Sequence, residues 1–270
     1  MRPGCLVRIL SASCSVLVAG TALLLGQSQP ALSPPPSDDA ISTDRPAVAN
    51  SSVVVPKGSL QFENGFLVTS TQGQNTFDAP ETSLRFGLAS TTELRFSVPD
   101  YYHDLSSGAG VSGFGDITIG MKQQLGPTLG GFDVSVIAFL SLPTGAHQVS
   151  SHGYDPGLQL PWSRKLSANW TAAGQLAVYW PTTQPGTRTV TGETTFLLDR
   201  QLTKPMDAFV EYAGDFPERG GPPHLLHFGA AYKITPMQQL DIHYGVGLSS
   251  AAIDHFIGMG YSFRFQAVRR

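Results

Sequence analysis

From Gly58 onward, apolar residues recur at alternate positions, the period of a β-strand with two different faces. In residues 237–248, Leu240, Ile242, Tyr244, Val246 and Leu248 form one row, against Asp241, His243, Gly245 and Gly247. In residues 253–265, Ile257, Met259, Tyr261, Phe263 and Phe265 oppose Gly258, Gly260, Ser262 and Arg264. In residues 114–125, Ile117, Ile119 and Met121 oppose Asp116, Thr118, Gly120 and Lys122. No stretch sustains a helical period, and no internal run reaches the roughly 18 apolar residues of a spanning helix. The alternation predicts twelve strands, roughly at 58–69, 80–89, 92–101, 114–125, 131–142, 155–166, 168–180, 190–202, 206–216, 224–234, 237–248 and 253–265.

The connections between these strands alternate in length. Short ones fall near Ser90–Thr91, at GPTLG, at Ser167, at TKP and at TP. Longer ones are TQGQNTFDA, HDLSSGAGVSG, TGAHQVSSHGY, PTTQPGTRT and PERGGPP, with 249–252 the least long of that set. A membrane barrel has short periplasmic turns and longer outer loops. An even strand number also returns both ends of the barrel to the periplasmic side. The pattern therefore predicts an all-β protein: an antiparallel transmembrane β-barrel of about 12 strands over residues 58–266.

Parity alone does not say whether the apolar row meets lipid or a soluble core. Trp170 and Trp180 help, since they share one row and lie at opposite ends of the seventh strand. Ten tilted strand residues rise roughly 25 Å, the height of a lipid-facing band between two aromatic girdles. Trp170, Trp180, Tyr261, Phe263 and Phe265 are the girdle candidates. The closing Gly260-x-x-Phe263-x-Phe265 resembles the carboxy-terminal signal that the barrel-assembly machinery reads, here followed by Gln266 to Arg270.

Composition and the amino terminus agree with export. Charged residues make up 14% of the chain, against about 25% in soluble domains. Residues 1–27 read as a signal peptide, with Arg2 and Arg8 before the apolar VLVAGTALLLG. Both cysteines, Cys5 and Cys14, fall in that segment, so the mature chain would have no thiol chemistry. Residues 28–57 read as a proline- and serine-rich linker, whose later part, 41–57, fits either the periplasm or a plug in the barrel lumen. Without the signal segment, 15 basic residues face 20 acidic ones, which gives no reason to expect nucleic-acid binding.

The polar rows carry the candidate chemistry. By parity the lumen-facing charges are Glu63, Arg85, Glu93, Arg95, Asp116, Lys122, Asp133, Glu193, Asp207, Glu211, Lys233, Asp241 and Arg264. They fit either a polar pore with a transverse field or a network of internal ion pairs in a closed barrel. Closure predicts that Glu63 and Arg264 are neighbours where the first and last strands meet. His224, His227 and Glu218, and separately His147 and His152, are loose metal-like groupings that read better as solvated loop residues. His243 and His255 lie near Ser249 and Ser250, but there is no G-x-S-x-G elbow. No catalytic residue, metal or cofactor is assigned, and the chain is not read as an enzyme.

Several stretches resemble one family, the outer-membrane transporters named after the meta-pathway of phenol degradation. They include ISTDRP (41–46), QFENGF (61–66), PETSLRFGL (80–88), GFGDITIGMKQQLGP (113–127), YDPGLQLPWS (154–163), DAFVEYAG (207–214) and LLHFGAAYKITPMQQLDIHYGVGLS (225–249). The resemblance implies a barrel in the bacterial outer membrane, surrounded by lipid, passing small molecules such as aromatic or other hydrophobic compounds. It carries over no site residue. The alternatives are a closed structural or adhesive barrel and, further off, a membrane-embedded hydrolase.

Overall fold

The computed structural model describes residues 40–106, 110–128, 130–184 and 186–268. The expected signal segment and the linker up to residue 39 lie outside the described residues. Twelve strands close into a barrel. They are β1 (Ser59–Thr71), β2 (Gln74–Ala79 and Ser83–Gly87), β3 (Thr92–Ser97 and Tyr101–Asp104) and β4 (Ser112–Phe114 and Ile117–Pro127). They continue with β5 (Phe132–Leu142), β6 (Asp155–Lys165), β7 (Trp170–Tyr179), β8 (Thr191–Thr203), β9 (Met206–Pro217), β10 (His224–Thr235), β11 (Gln238–Gly247) and β12 (His255–Gln266). Each strand pairs antiparallel with its neighbours in sequence, and β12 pairs with β1 from Ser59↔Gln266 to Ser70↔His255. A closed barrel is one of two folds that satisfy every backbone group inside a lipid bilayer.

The faces resolve what parity left open. Leu176, Phe196, Phe228, Ile242 and Met259 point outward and are exposed, whereas Gln61, Glu63, Arg85, Glu93, Lys122 and Glu211 point inward and are fully buried. An apolar outside around a polar inside would be unstable in water, and it suits lipid. The outward rows also contain aromatic ladders. Phe62 stacks on Phe263 across the seam at 4.9 Å, and Phe263 stacks on Phe265 at 6.4 Å. Trp170 is exposed at the short-turn end, with the Arg200 guanidinium 5.2 Å from its ring.

Four expectations are corrected. The first outer connection is not a loop: TQGQNTFDA continues the ladder to Thr71↔Gln74, around a turn with positive φ at Gln72 and Gly73. HDLSSGAGVSG is also partly strand, since His103 pairs with Ser112. Trp180 lies just past the end of β7, half-buried, rather than inside it. Finally, Arg264 lies opposite Gln61, and Glu63 lies opposite Ser262, one pleat away from the expected pairing. Parity preserves the face but leaves the register free by steps of two.

β2, β3 and β4 are each interrupted, at residues 80–82, 98–100 and 115–116. Pro80 and Pro99 have no N–H to give to the ladder, so pairing lapses there. Single bonds still bridge the wall: Gly65 N–H donates to the Pro80 carbonyl (2.7 Å), Val98 N–H to Thr82 (2.9 Å), and Gly115 N–H to Asp100 (2.8 Å).

Candidate functional site

Residues 41–57 run inside the barrel. Ile41 N–H donates to the Pro236 carbonyl (2.6 Å) at the β10–β11 turn, so the segment enters at the short-turn end. It leaves at the same end, where Gly58 N–H meets the Gly87 carbonyl (2.7 Å). The sequence there, with Pro46, Pro56 and a run of small polar residues, does not form a strand, so its backbone groups need other partners.

Inward side chains supply those partners. Glu211 accepts the N–H groups of Val48 and Ala49, both at 2.8 Å. Glu63 accepts those of Asp44 (2.9 Å) and Arg45 (3.0 Å), and Glu93 accepts that of Val55 (2.7 Å). Gln175 accepts from the Asn50 amide at 2.8 Å. In the other direction, Lys122 Nζ donates to the carbonyls of Ser51 (2.8 Å) and Val53 (3.4 Å), and Gln61 donates to that of Ser42 (2.8 Å).

Two charged side chains of the segment meet opposite charges on the wall. Asp44 Oδ2 lies 2.6 Å from Arg95, and its Oδ1 lies 3.3 Å from both Arg85 and Lys122. Burial disfavours the ionised form, but Arg85, Arg95 and Lys122 outweigh it and hold the Asp44 carboxyl well below its usual range. The same cations also reach wall carboxylates. Arg85 binds Glu63 (2.8 Å) and Glu93 (2.9 Å), and Arg95 binds Glu93 (2.9 Å). Arg45 turns to the seam, where it binds Glu81 (2.6 Å), Asp241 (3.4 Å) and the Met259 carbonyl (3.3 Å). Burial lowers the Arg45 pKa, but Asp241 and Glu81 overcome this and raise it above its ordinary value.

The wall charges are unevenly spread, with Glu63 and Glu93 interleaved among the cations. Arg85, Arg95 and Lys122 come from β2, β3 and β4, and Glu193, Glu211 and Asp215 from β8 and β9. In a ring of twelve, β3 stands across from β9. Residues 41–57 span the lumen, with Asp44 on Arg85, Arg95 and Lys122 and backbone N–H groups on Glu211. Beside the segment, toward β6–β10, a cavity of about 640 Å³ remains, lined by Ser163, Ala173, Asp199, Asp207 and Lys233 among others.

The other predicted residues fall as follows. Asp116 sits in the β4 interruption and accepts from Gly145 N–H (2.8 Å) and Ser151 N–H (3.0 Å), tying down an outer loop. Lys233 pairs with Asp207 at 2.6 Å, and Glu193 accepts from Gln175 at 2.7 Å. Asp133 is half-buried on the inward row, opposite Ser163. Arg264 is inward and buried, with its N–H donated to the Met237 carbonyl (3.0 Å).

Sequence reasoning missed Asp44 and Arg45 because they precede the first strand. It also missed the role of His227, which bridges Glu211 (2.9 Å) and His243 (3.0 Å) inside the lumen. His224 instead meets the Tyr212 hydroxyl (2.7 Å), so the loose grouping with Glu218 does not converge. Ser249 donates to the Pro222 carbonyl (2.8 Å) and accepts from His224 N–H (3.1 Å) rather than meeting His243 or His255. His147 and His152 are ring neighbours at 4.8 Å in an outer loop.

A family model described as "Putative MetA-pathway of phenol degradation" matches residues 43–265. The chain belongs to this family. The match begins at Thr43, so it takes in most of the lumen segment as well as the barrel. Among solved structures, the COG4313 outer membrane channel from Pseudomonas putida F1 aligns with a TM-score of 0.65 at 12% identity, covering 82% of this chain and 100% of that one. The KdgM porin aligns with a TM-score of 0.51 at 10% identity, covering 77% of this chain and 99% of that one. Both likenesses are of fold: a barrel of the outer-membrane type. No curated protein shows significant sequence similarity to the chain.

Proposed function

We propose that the protein is an outer-membrane channel for small molecules, held shut by residues 41–57. The observation that carries this reading is the hydrogen bonding of that segment. It is bonded to Lys122 on β4, to Glu211 on β9 and to the Met259 carbonyl on β12 at once, and it belongs to no strand of the barrel. A plug held by side-chain contacts leaves without opening the barrel ladder. Twelve strands lie between the roughly eight that side chains fill and the sixteen that leave an open pore, so an inserted segment decides whether this lumen conducts. The family description makes aromatic compounds the first solutes to try. Transport needs no cofactor, and export would use residues 1–27 as the signal peptide. The row Tyr261, Phe263 and Phe265 supports β12 as the strand offered to the assembly machinery.

The experiment is single-channel recording in a planar bilayer, with and without residues 28–57. Current steps that appear or grow after deletion support the plug. Equal steps in both forms would mean that the segment does not close the pore. Silence in both, from folded and inserted protein, would favour the second reading, a closed structural barrel, which the dense ion-pair network around Arg85 also fits.

A further inference from the structure

The lumen segment does more than fill space: one of its side chains occupies a site that the wall has built. Arg85, Arg95 and Lys122 converge on a single carboxylate, that of Asp44. The side chains of Arg85 and Lys122 are fully buried, and Arg95 retains only 15% of its exposure. Three wall cations face two wall carboxylates, Glu63 and Glu93, which leaves one positive charge for Asp44 to neutralise. Without the segment, Lys122 would lose Asp44 and its bonds to the Ser51 and Val53 carbonyls, keeping Glu93 at 3.5 Å. Arg95 would lose both Asp44 and Asn50, keeping Glu93 at 2.9 Å. With the segment withdrawn, these cations line the opened lumen with one positive charge in excess, and an anion can take the place of Asp44.

We propose, resting on the channel reading above, that this cluster is a solute-binding site for organic carboxylates, and that Asp44 occupies it as an internal stand-in. The arginine fork recognises a carboxylate by two parallel N–H donors, and the adjacent lysine adds a point charge. A solute carboxylate arriving at Arg95 and Lys122 competes directly with Asp44. Binding and displacement of the plug are then one event: the solute's contacts with Arg95 and Lys122 replace those that the segment gives up. A neutral solute of the same shape has no such lever.

The test uses the whole mature chain in detergent micelles, as wild type and as Asp44→Ala. Both are titrated with benzoate, and with benzyl alcohol as the uncharged control. Asp44→Ala should bind benzoate at least about tenfold more tightly than wild type, and far more tightly than benzyl alcohol. Adding Arg95→Gln should abolish the gain. Equal benzoate affinity in wild type and Asp44→Ala, or equal affinity for benzoate and benzyl alcohol, would overturn the proposal. If Asp44→Ala refolds poorly, recovery becomes the readout. Acetate should raise its refolding yield above that in chloride at equal ionic strength and leave wild type unchanged; no difference would overturn the site. Bilayer current separates the two readings: benzoate binding without current in any variant keeps the site and removes the channel, and current without benzoate binding does the reverse.

Discussion

Gly65 and Gly260 face each other across the seam that closes the barrel, and the Arg45 guanidinium lies against both. A Cβ at either position would collide with that side chain. The seam thus leaves a notch in its inner surface, and the lumen segment fills it. Arg45 then reaches Glu81 on one side and Asp241 on the other. The glycines of NGF and GMG are therefore places where two β-strands make room for a third stretch of chain.

Filling that notch should expel Arg45. Gly65→Leu keeps the strand pairing, since its Cβ would meet only the Arg45 guanidinium and side chains on that row point into the lumen. Overpacking of this kind costs about 1–3 kcal/mol. We expect this variant to fold and to show raised single-channel activity relative to wild type, with protease cleavage appearing near residues 45–50. Wild-type current and no cleavage would count against a role for the notch in holding the segment.

Glu211 holds the middle of the segment through the Val48 and Ala49 N–H groups. Hydrogen bonds to a charged group are worth about 1.5–3 kcal/mol each. Glu211→Ala should therefore speed amide hydrogen exchange at Val48 and Ala49 by at least tenfold, roughly 1.4 kcal/mol. Exchange in β1 should be unchanged. Unaltered protection at both amides would show that other contacts hold this stretch.

The barrel register is checked by crosslinking. Gln61 and Arg264 are direct partners across the seam, whereas Glu63 pairs with Ser262. Gln61→Cys with Arg264→Cys should form a disulfide readily upon oxidation, and Glu63→Cys with Arg264→Cys should form little. Directly opposed Cα atoms lie about 4.5–5.5 Å apart, within disulfide range. The reverse ranking would place the register one pleat away.

The acid dependence follows from Asp44. Its carboxyl is held below the usual range in the folded protein, so the unfolded chain takes up this proton first as pH falls. The stabilisation is fully present above the unfolded value of about 3.9 and declines as pH falls through the folded value. Breaking a buried pair costs roughly 3–5 kcal/mol. The unfolding midpoint of Asp44→Asn should thus lie below that of wild type by a constant interval from pH 8 to pH 5. The interval should shrink below about pH 4. An interval that closes already between pH 8 and pH 5 would contradict a strongly paired Asp44.

The sequence by itself determined that this chain is a barrel. Alternation with period two recorded which residues share a face, and Glu63, Arg85, Lys122 and Glu211 all lie on the inward one. The count of twelve strands followed from the turns, because glycine, proline and small polar residues punctuate an alternating chain. What alternation cannot express is register, since a shift of two residues leaves every face unchanged; Arg264 therefore met Gln61 rather than Glu63. It also cannot express the fate of residues 41–57, which have no period. Their position depends on a lumen that exists only once the barrel has closed, with Arg85, Arg95 and Lys122 from three strands gathered around one Asp44. Local pattern made the wall, and long-range charge pairing across the closed ring decided what stands inside it.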